Sequence, residues 1–279
     1  MVESVDELGD SALRRLIGSQ RERCFANSRI PRLLHHTWAT SDLDRLPAIV
    51  SEGVRSFTCN DGATLQLLWS DQDCEELIRA RYSSLCEVAR SLPHPVMRAD
   101  LFRYMVLSAF GGVYSDVDTR LLRPVDSWIE HAPAAPPARL IVGIEADPDR
   151  SDWADWYSRR LQWCQWTLAS APGHPVLADV IEESTRRIRR GVGTSVMELT
   201  GPGVWTDSVN RWLEQAHGRH WSEFVGLREA VRVGDALLLP ITAFSPGIGH
   251  MGAGPTSSPD ALVEHLFMGS WKQTAASAS

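Results

Sequence analysis

Short apolar runs rich in branched residues alternate with longer amphipathic stretches along almost the whole chain, and that alternation allows few architectures. IPRLLHHTW (Ile30 to Trp38), TLQLLWS (Thr64 to Ser70), LIVGIEAD (Leu140 to Asp147) and ALLLPITAF (Ala236 to Phe244) have the length and punctuation of buried strands. Around them, residues 5 to 24, a short segment bracketed by Pro47 and Gly53, Asp71 to Arg90, the stretch from Pro95 to Phe110, His174 to Arg190 and Val204 to Gln215 read as helices. Ser70 or Asp71 caps the third, and Gly111-Gly112 stops the fourth. Such alternation implies an α/β fold with a mainly parallel central sheet flanked by helices, whose ligands collect at the carboxyl ends of the strands. At 279 residues and 43% hydrophobic content the chain can bury one large core, and neither a repeat nor a linker divides it. The expected organisation is an N-terminal helical segment over 1–29, one domain over 30–272 and a disordered polar tail over 273–279.

Composition removes several classes of function. Acidic residues outnumber basic ones 35 to 28, and the net charge of −7 gives no general attraction to nucleic acid or an anionic membrane. Lys272 is the only lysine, which excludes lysine-based Schiff-base or P-loop chemistry from most of the chain. The five cysteines (Cys24, Cys59, Cys74, Cys86, Cys164) form no CxxC pair and read as buried thiols. No apolar run approaches the ~18 residues of a membrane span, and the acidic start MVESVDELGD is unlike a signal peptide. Asn27, Asn60 and Asn210 all fail the glycosylation pattern.

The stretch FGGVYSDVDT (Phe110 to Thr119) sets two carboxylates one residue apart after a helix stop and a short apolar link. Like charges so close cannot both be satisfied by burial, and a divalent cation resolves the conflict. Oxygen ligands suit Mg²⁺ or Mn²⁺, which keep coordination positions open for phosphates and water. A solvated turn is the bland alternative. The haloacid-dehalogenase type phosphatases carry a related D-x-D-x-T signature, but there the nucleophile ends an unbroken apolar strand, whereas Gly111 and Gly112 interrupt this one and no suitable downstream lysine exists. Gly247 to Gly252 formally matches GxGxxG, yet no helix follows and prolines flank it, so a glycine loop is expected.

The whole segment RADLFRYMVLSAFGGVYSDVDTRLLRPVDSW resembles the DXD sugar-binding region of the retaining glycosyltransferases of family 32, in which an R-x-D-x-x-R-Y helix, a GG-x-Y link and the D-x-D are combined. IPRLLHHTW, GIEAD, QWTLASAPGHPVL, TGPGVWTD, LPITAFSPGIGHMG and EHLFMGSWK are similar, in this order, to the fungal initiation-specific α-1,6-mannosyltransferase group of that family, from about Ile30 to Lys272.

The resemblance implies a GT-A fold and a retaining, metal-dependent mannosyl transfer from GDP-mannose to a hydroxyl of an N-glycan outer chain or of a small-molecule natural product. A UDP-sugar-dependent enzyme of the same fold, or an inactive sugar-binding relative, is the alternative. It implies Mn²⁺ (or Mg²⁺) on Asp118, with His265 or His250 completing the shell, and Asp116 on the sugar or ribose. Asp100 and Arg103, three apart on one helix face, together with Tyr104, reach the same donor pocket. Trp38 faces the nucleotide, Gly203 lies where a helix begins, and Ser270 and Trp271 close over the diphosphate. His35 holds the family's usual histidine position, and His36 receives no role. Glu145, with Asp147, is the candidate at the transferred sugar or acceptor, so Asp116, Asp118 and Glu145 form the expected catalytic set. Trp153, Trp156, Trp163 and Trp166 recur near helical spacing, as core or as an acceptor shelf. Location depends on the true start: a native Met1 implies the cytosol, a removed anchor the Golgi lumen.

Overall fold

The computed structural model describes residues 2–4, 18–19, 23–57, 64–129, 136–191, 195–247 and 251–269. Its strands are β1 (Val2–Ser4), β2 (Leu33–Thr37), β3 (Leu65–Trp69), β4 (Gly112–Ser115), β5 (Thr119–Leu121), β6 (Leu140–Ala146), β7 (Gln162–Ser170), β8 (Val231–Val233), β9 (Ala236–Leu239) and β10 (Val263–His265). Eight of them form one sheet in the order β1-β3-β2-β4-β7-β6-β9-β8, and β10 pairs with β5 in a separate two-stranded ribbon. Within the large sheet only β7 and β8 run against the others, so the sheet is mostly parallel, as the alternating pattern requires.

The helices are α1 (Ala48–Ser56), α2 (Asp71–Arg81), α3 (Cys86–Ser91), α4 (Pro95–Phe110), α5 (Pro175–Arg190), α6 (Val196–Leu199) and α7 (Pro202–His217). One face of the sheet shares a core with α4, α5 and α7, through Leu101, Met105, Val180, Trp205 and Val209. The other face buries Leu34, Ile141, Trp166 and Phe244. Both faces are covered, which is why the central strands read as continuous apolar runs rather than as alternation.

Several expectations need correcting. The helix expected over 5 to 24 lies almost wholly outside the described residues, but Val2–Ser4 is a parallel edge strand on β3 and Cys24 bridges Pro31. Asp71 to Arg90 is two helices: Tyr82 leaves helical geometry, and its hydroxyl donates to Met105 O at 2.8 Å on α4. Ser70 is the cap, in a reciprocal capping box with Asp73. The strand from Ala236 ends at Leu239, because Pro240 has no N–H to continue the ladder. Trp163 and Trp166 belong to β7, whose two-residue period sends them to opposite faces of the sheet. The expected tail lies outside the described residues. The four described cysteines, Cys24, Cys74, Cys86 and Cys164, are free thiols. Among the described residues no helix is long and apolar enough to cross a membrane.

Two glycines shape the turn that carries the paired aspartates. Gly112 has φ +105°, and a Cβ there would meet Leu33 O at 2.5 Å, so only glycine lets β4 start against β2. Gly53 lies inside α1, beyond the stop expected there, and a Cβ would meet Val117 O at 2.5 Å and Thr119 O at 2.7 Å. Both atoms are backbone, so α1 is pressed directly against the aspartate turn. Gly53→Ala is therefore expected to cost about 1–3 kcal/mol through overpacking and to weaken metal binding with it. Urea denaturation and Mn²⁺ titration measure the two effects.

Candidate functional site

The site forms where β2, β4 and β6 end on the same edge of the sheet, as expected for parallel strands. Asp116 follows β4 directly, and its N–H donates to Trp166 O at 2.8 Å on the neighbouring β7. The turn is tied from inside: Thr119 Oγ1 donates to Asp116 O at 2.5 Å, and Ser115 Oγ lies 2.8 Å from both Thr119 Oγ1 and Thr167 Oγ1. Its direction is thereby fixed before any ligand arrives. Asp116 and Asp118 project beside one another.

The far end of the chain returns to complete the cluster. β10 pairs with β5 in antiparallel register, His265 opposite Thr119, which places the imidazole over the turn. His265 Nε2 is 3.3 Å from Asp118 Oδ1, and Met268 N–H donates to Asp118 Oδ2 at 3.1 Å. Trp166 stacks on the His265 ring at 4.6 Å and 17°. Oxygens of Asp116 and Asp118 and a nitrogen of His265 all lie within 4.8 Å of one another. Two hard oxygens and one imidazole suit Mn²⁺ or another divalent first-row ion. Nδ1 of His265 is buried without a partner.

Arg103 ties the turn to α4. This guanidinium is 3% exposed and sits 2.9 Å from Asp116 Oδ1 and 3.1 Å from Asp100 Oδ1. Burial disfavours its cation, but Asp116 and Asp100 outweigh that and hold its pKa well above the ordinary value. Asp100 is buried, which with the nearby Asp116 raises its carboxyl to about 6 against the pull of Arg103, Thr200 and Gln165. Thr200 Oγ1 donates to Asp100 Oδ2 at 3.0 Å. Asp116 is likewise raised by burial and by Asp118, while Arg103 and His265 oppose the shift. Asp118 differs: burial would raise it, yet the hydrogen bond and charge of His265 and the N–H of Met268 bring it below the usual range. Two adjacent aspartates are therefore electrostatically unequal.

These groups open into a cavity of about 920 Å³ lined by Trp38, Asp100, Arg103, Asp116, Asp118, Glu145 and His265 among others. Glu145 Oε1 accepts from Gln162 Nε2 at 2.8 Å, while its Oε2 is buried without a partner. Burial pushes its carboxyl up to about 8 despite Gln162, so it is neutral at physiological pH.

Other expected residues stand elsewhere. Tyr104 is fully buried behind the cavity, stacked on Trp205, with its hydroxyl 2.6 Å from Gln165 Oε1 and 3.0 Å from Thr200 O. It braces the partners of Asp100 rather than meeting a ligand. Gly203 is in the first turn of α7, packed on Met197 and Glu198, and Pro202 is the residue of that turn that reaches the cavity. Asp147 is held by Arg160 at 2.6 Å and by the N–H of Gly226 at 2.5 Å, and it does not line the cavity. His250, Ser270 and Trp271 lie outside the described residues.

Some contributors escaped the sequence reading. Gln165, Gln162 and Thr200 position the carboxylates; the sequence signal for the two glutamines is that they are polar residues in an otherwise apolar strand, and Thr200, at the end of α6, carries none. His36, 0% exposed, contacts Ser115 O at 2.7 Å through Nδ1 and so secures the end of β4. His35 likewise contacts Gly111 O at 2.9 Å. Burial lowers both imidazoles to about 4, so they are neutral braces.

A mostly parallel α/β sheet with an Asp-x-Asp turn at its carboxyl edge defines a class. Residues 29–135 match the family described as glycosyltransferase sugar-binding region containing DXD motif, and the chain carries that domain over this span. It is similar to the "Initiation-specific alpha-1,6-mannosyltransferase" of Schizosaccharomyces pombe, 42% identical over 258 residues covering 87% of this chain and 64% of that one. The protein of the same name from Candida albicans is 39% identical over 236 residues, covering 72% of this chain and 61% of that one. The chain thus spans a little under two thirds of the length of these relatives. It is also similar to "Inositol phosphoceramide mannosyltransferase 3" of Schizosaccharomyces pombe, at 30% identity covering 70% of this chain and 49% of that one. Among solved structures it is similar to the PaToxG glycosyltransferase, at 13% identity and a TM-score of 0.41, covering 74% of this chain and 78% of that one.

Proposed function

We propose that this chain is a retaining, metal-dependent mannosyltransferase that moves mannose from GDP-mannose to a hydroxyl of a glycan or a small-molecule natural product. The observation that carries this reading is the Asp116–Asp118–His265 cluster opening, beside Arg103, into a cavity large enough for a nucleotide sugar. The names of the relatives, all mannosyltransferases, support mannose as the transferred sugar.

Each side chain then has a task. Asp118 and His265 hold Mn²⁺ (or Mg²⁺), which when bound offsets the negative charge that grows on the departing diphosphate. Arg103 offers a second cation to the same phosphates, and its pairing with Asp116 orients that carboxylate toward the sugar or ribose. Asp100 holds Arg103 from behind. Glu145, neutral and with one oxygen unpartnered, donates a hydrogen bond to a hydroxyl of the transferred sugar. Trp38 lends an aromatic plane to the base.

The test is a panel of GDP-mannose, UDP-glucose, UDP-galactose and UDP-GlcNAc with and without Mn²⁺, read by thermal shift and by nucleotide release. GDP-mannose with Mn²⁺ is expected to stabilise the chain most and to be hydrolysed slowly in the absence of acceptor. A UDP-sugar preferred over GDP-mannose would move the donor assignment. No stabilisation and no release in any condition would sink the enzyme reading.

A further inference from the structure

Strand order gives the cavity a long axis. β4, β2 and β3 are neighbours and all run the same way, so the residues just past their carboxyl ends, Asp116, Trp38 and Asp71, stand side by side. The register fixes this placement. Thr37 lies opposite Trp69, and the Trp38 N–H donates to Trp69 O at 3.0 Å, which sets Trp38 beside Ser70, the cap of α2. Neighbouring strands are about 4.8 Å apart, so Asp71 stands roughly 10 Å from the aspartate turn, with the Trp38 position between them.

Glu75 follows Asp71 by one helical turn on the same face of α2, and both line the cavity, as do Trp38 and Asp116. Both carboxylates are exposed, and among the described residues neither has a hydrogen bond or an ion pair. Each is therefore free to accept from a ligand. The cavity is marked as a ligand site independently of them: the Nε of Arg103, on a side chain 3% exposed, and Oε2 of Glu145 are buried without partners on residues that line it.

We propose that Asp71 and Glu75 read the edge of the donor's base and make the site selective for guanine. The inference rests on the reading of this cavity as a nucleotide-sugar site and names the residues that decide which nucleotide enters. A carboxylate only accepts hydrogen bonds. Guanine's pairing edge sets two donors side by side, the ring N1–H and the exocyclic amino group, and one carboxylate accepts from both. Uracil offers a single N–H flanked by two carbonyl oxygens, which a carboxylate repels. Adenine and cytosine place an acceptor nitrogen beside their amino group and meet the same repulsion. The two acidic side chains thus discriminate by attraction and by exclusion together.

The test is isothermal titration of the full chain, in saturating Mn²⁺, with GDP, UDP and IDP, whose base lacks the exocyclic amino group. The wild type is expected to bind GDP at least tenfold more tightly than IDP or UDP. The double variant Asp71→Asn/Glu75→Gln is expected to lose tenfold or more in GDP affinity while its UDP affinity is kept or rises as the repulsion is relieved, which also shows that the fold and the diphosphate site are intact. A wild type that binds UDP as well as GDP, a double variant that keeps the GDP preference, or one that loses all three nucleotides equally would each overturn base reading by this helix. Absence of any nucleotide binding by the wild type would overturn the nucleotide-sugar reading as well, so the two failures are separable.

Discussion

Asp118→Ala is expected to lower metal-dependent release of GDP from GDP-mannose by about a thousandfold, the scale on which a group stabilising transition-state charge is felt. Asp118 receives His265 Nε2 at 3.3 Å and the Met268 N–H at 3.1 Å, and it is the carboxylate of the pair whose pKa is lowered. It is therefore the stronger candidate to face a cation with its charge in place. The substitution removes an electrostatic anchor without opening the core, because Asp118 is half-buried at the cavity wall. The melting temperature without metal is expected to change little, and the rise on adding Mn²⁺ is expected to vanish. Undiminished activity would mean that the metal assignment is wrong. Asp116→Asn is the informative companion, since it keeps the contact to Arg103 while removing the charge.

Arg103→Met is expected to damage stability and activity together. The guanidinium is 3% exposed between two carboxylates, and it also lies 5.0 Å over the Tyr114 ring. Removing one member of a buried ion cluster strands the others, at a typical cost of about 3–5 kcal/mol. Urea denaturation measures it, and an unchanged midpoint would show that Asp100 needs no cation. The loss should depend on pH in a definite direction. Burial already raises Asp100 to about 6, above its unfolded value of 3.8. A carboxyl with a raised folded pKa favours the folded state fully below its unfolded pKa, and that contribution fades as the pH rises through the folded one. In Arg103→Met the guanidinium no longer opposes the shift, so the variant is expected to approach wild-type stability near pH 4 and to fall further behind it above pH 6. Arg103→Lys keeps the charge but not the planar fork, and is expected to recover stability better than turnover.

The parts of this architecture that could be read directly were those set by local chemistry. The alternation of apolar runs and caps was enough for a mostly parallel sheet, and the three-residue spacing of Asp100 and Arg103 was enough to place them on one helix face. Tyr104, one position further, follows the same pattern in the chain, but a helix step of about 100° turns it away from the cavity and into the core. The burial of α4 all round hid that distinction, because no polar face marked which way it is turned. β7 was missed for a related reason: its nine residues are buried on both sides, and tryptophans three apart imitate a helix. His265 came only from the resemblance, since its contact with Asp118 depends on a pairing between segments more than a hundred residues apart, which no local signal encodes. Gly53 read as a helix stop, whereas its hydrogen side chain is what lets α1 touch the aspartate turn.

The β5–β10 ribbon also sets an order on the protein's making. The sheet, the helices and both aspartates precede Val263 in the chain, while the imidazole and the backbone donor to Asp118 come after it. During synthesis the paired aspartates therefore emerge well before the imidazole and the backbone N–H that meet Asp118. The charged turn is thus finished by a segment that joins it only after the intervening strands and helices have been made.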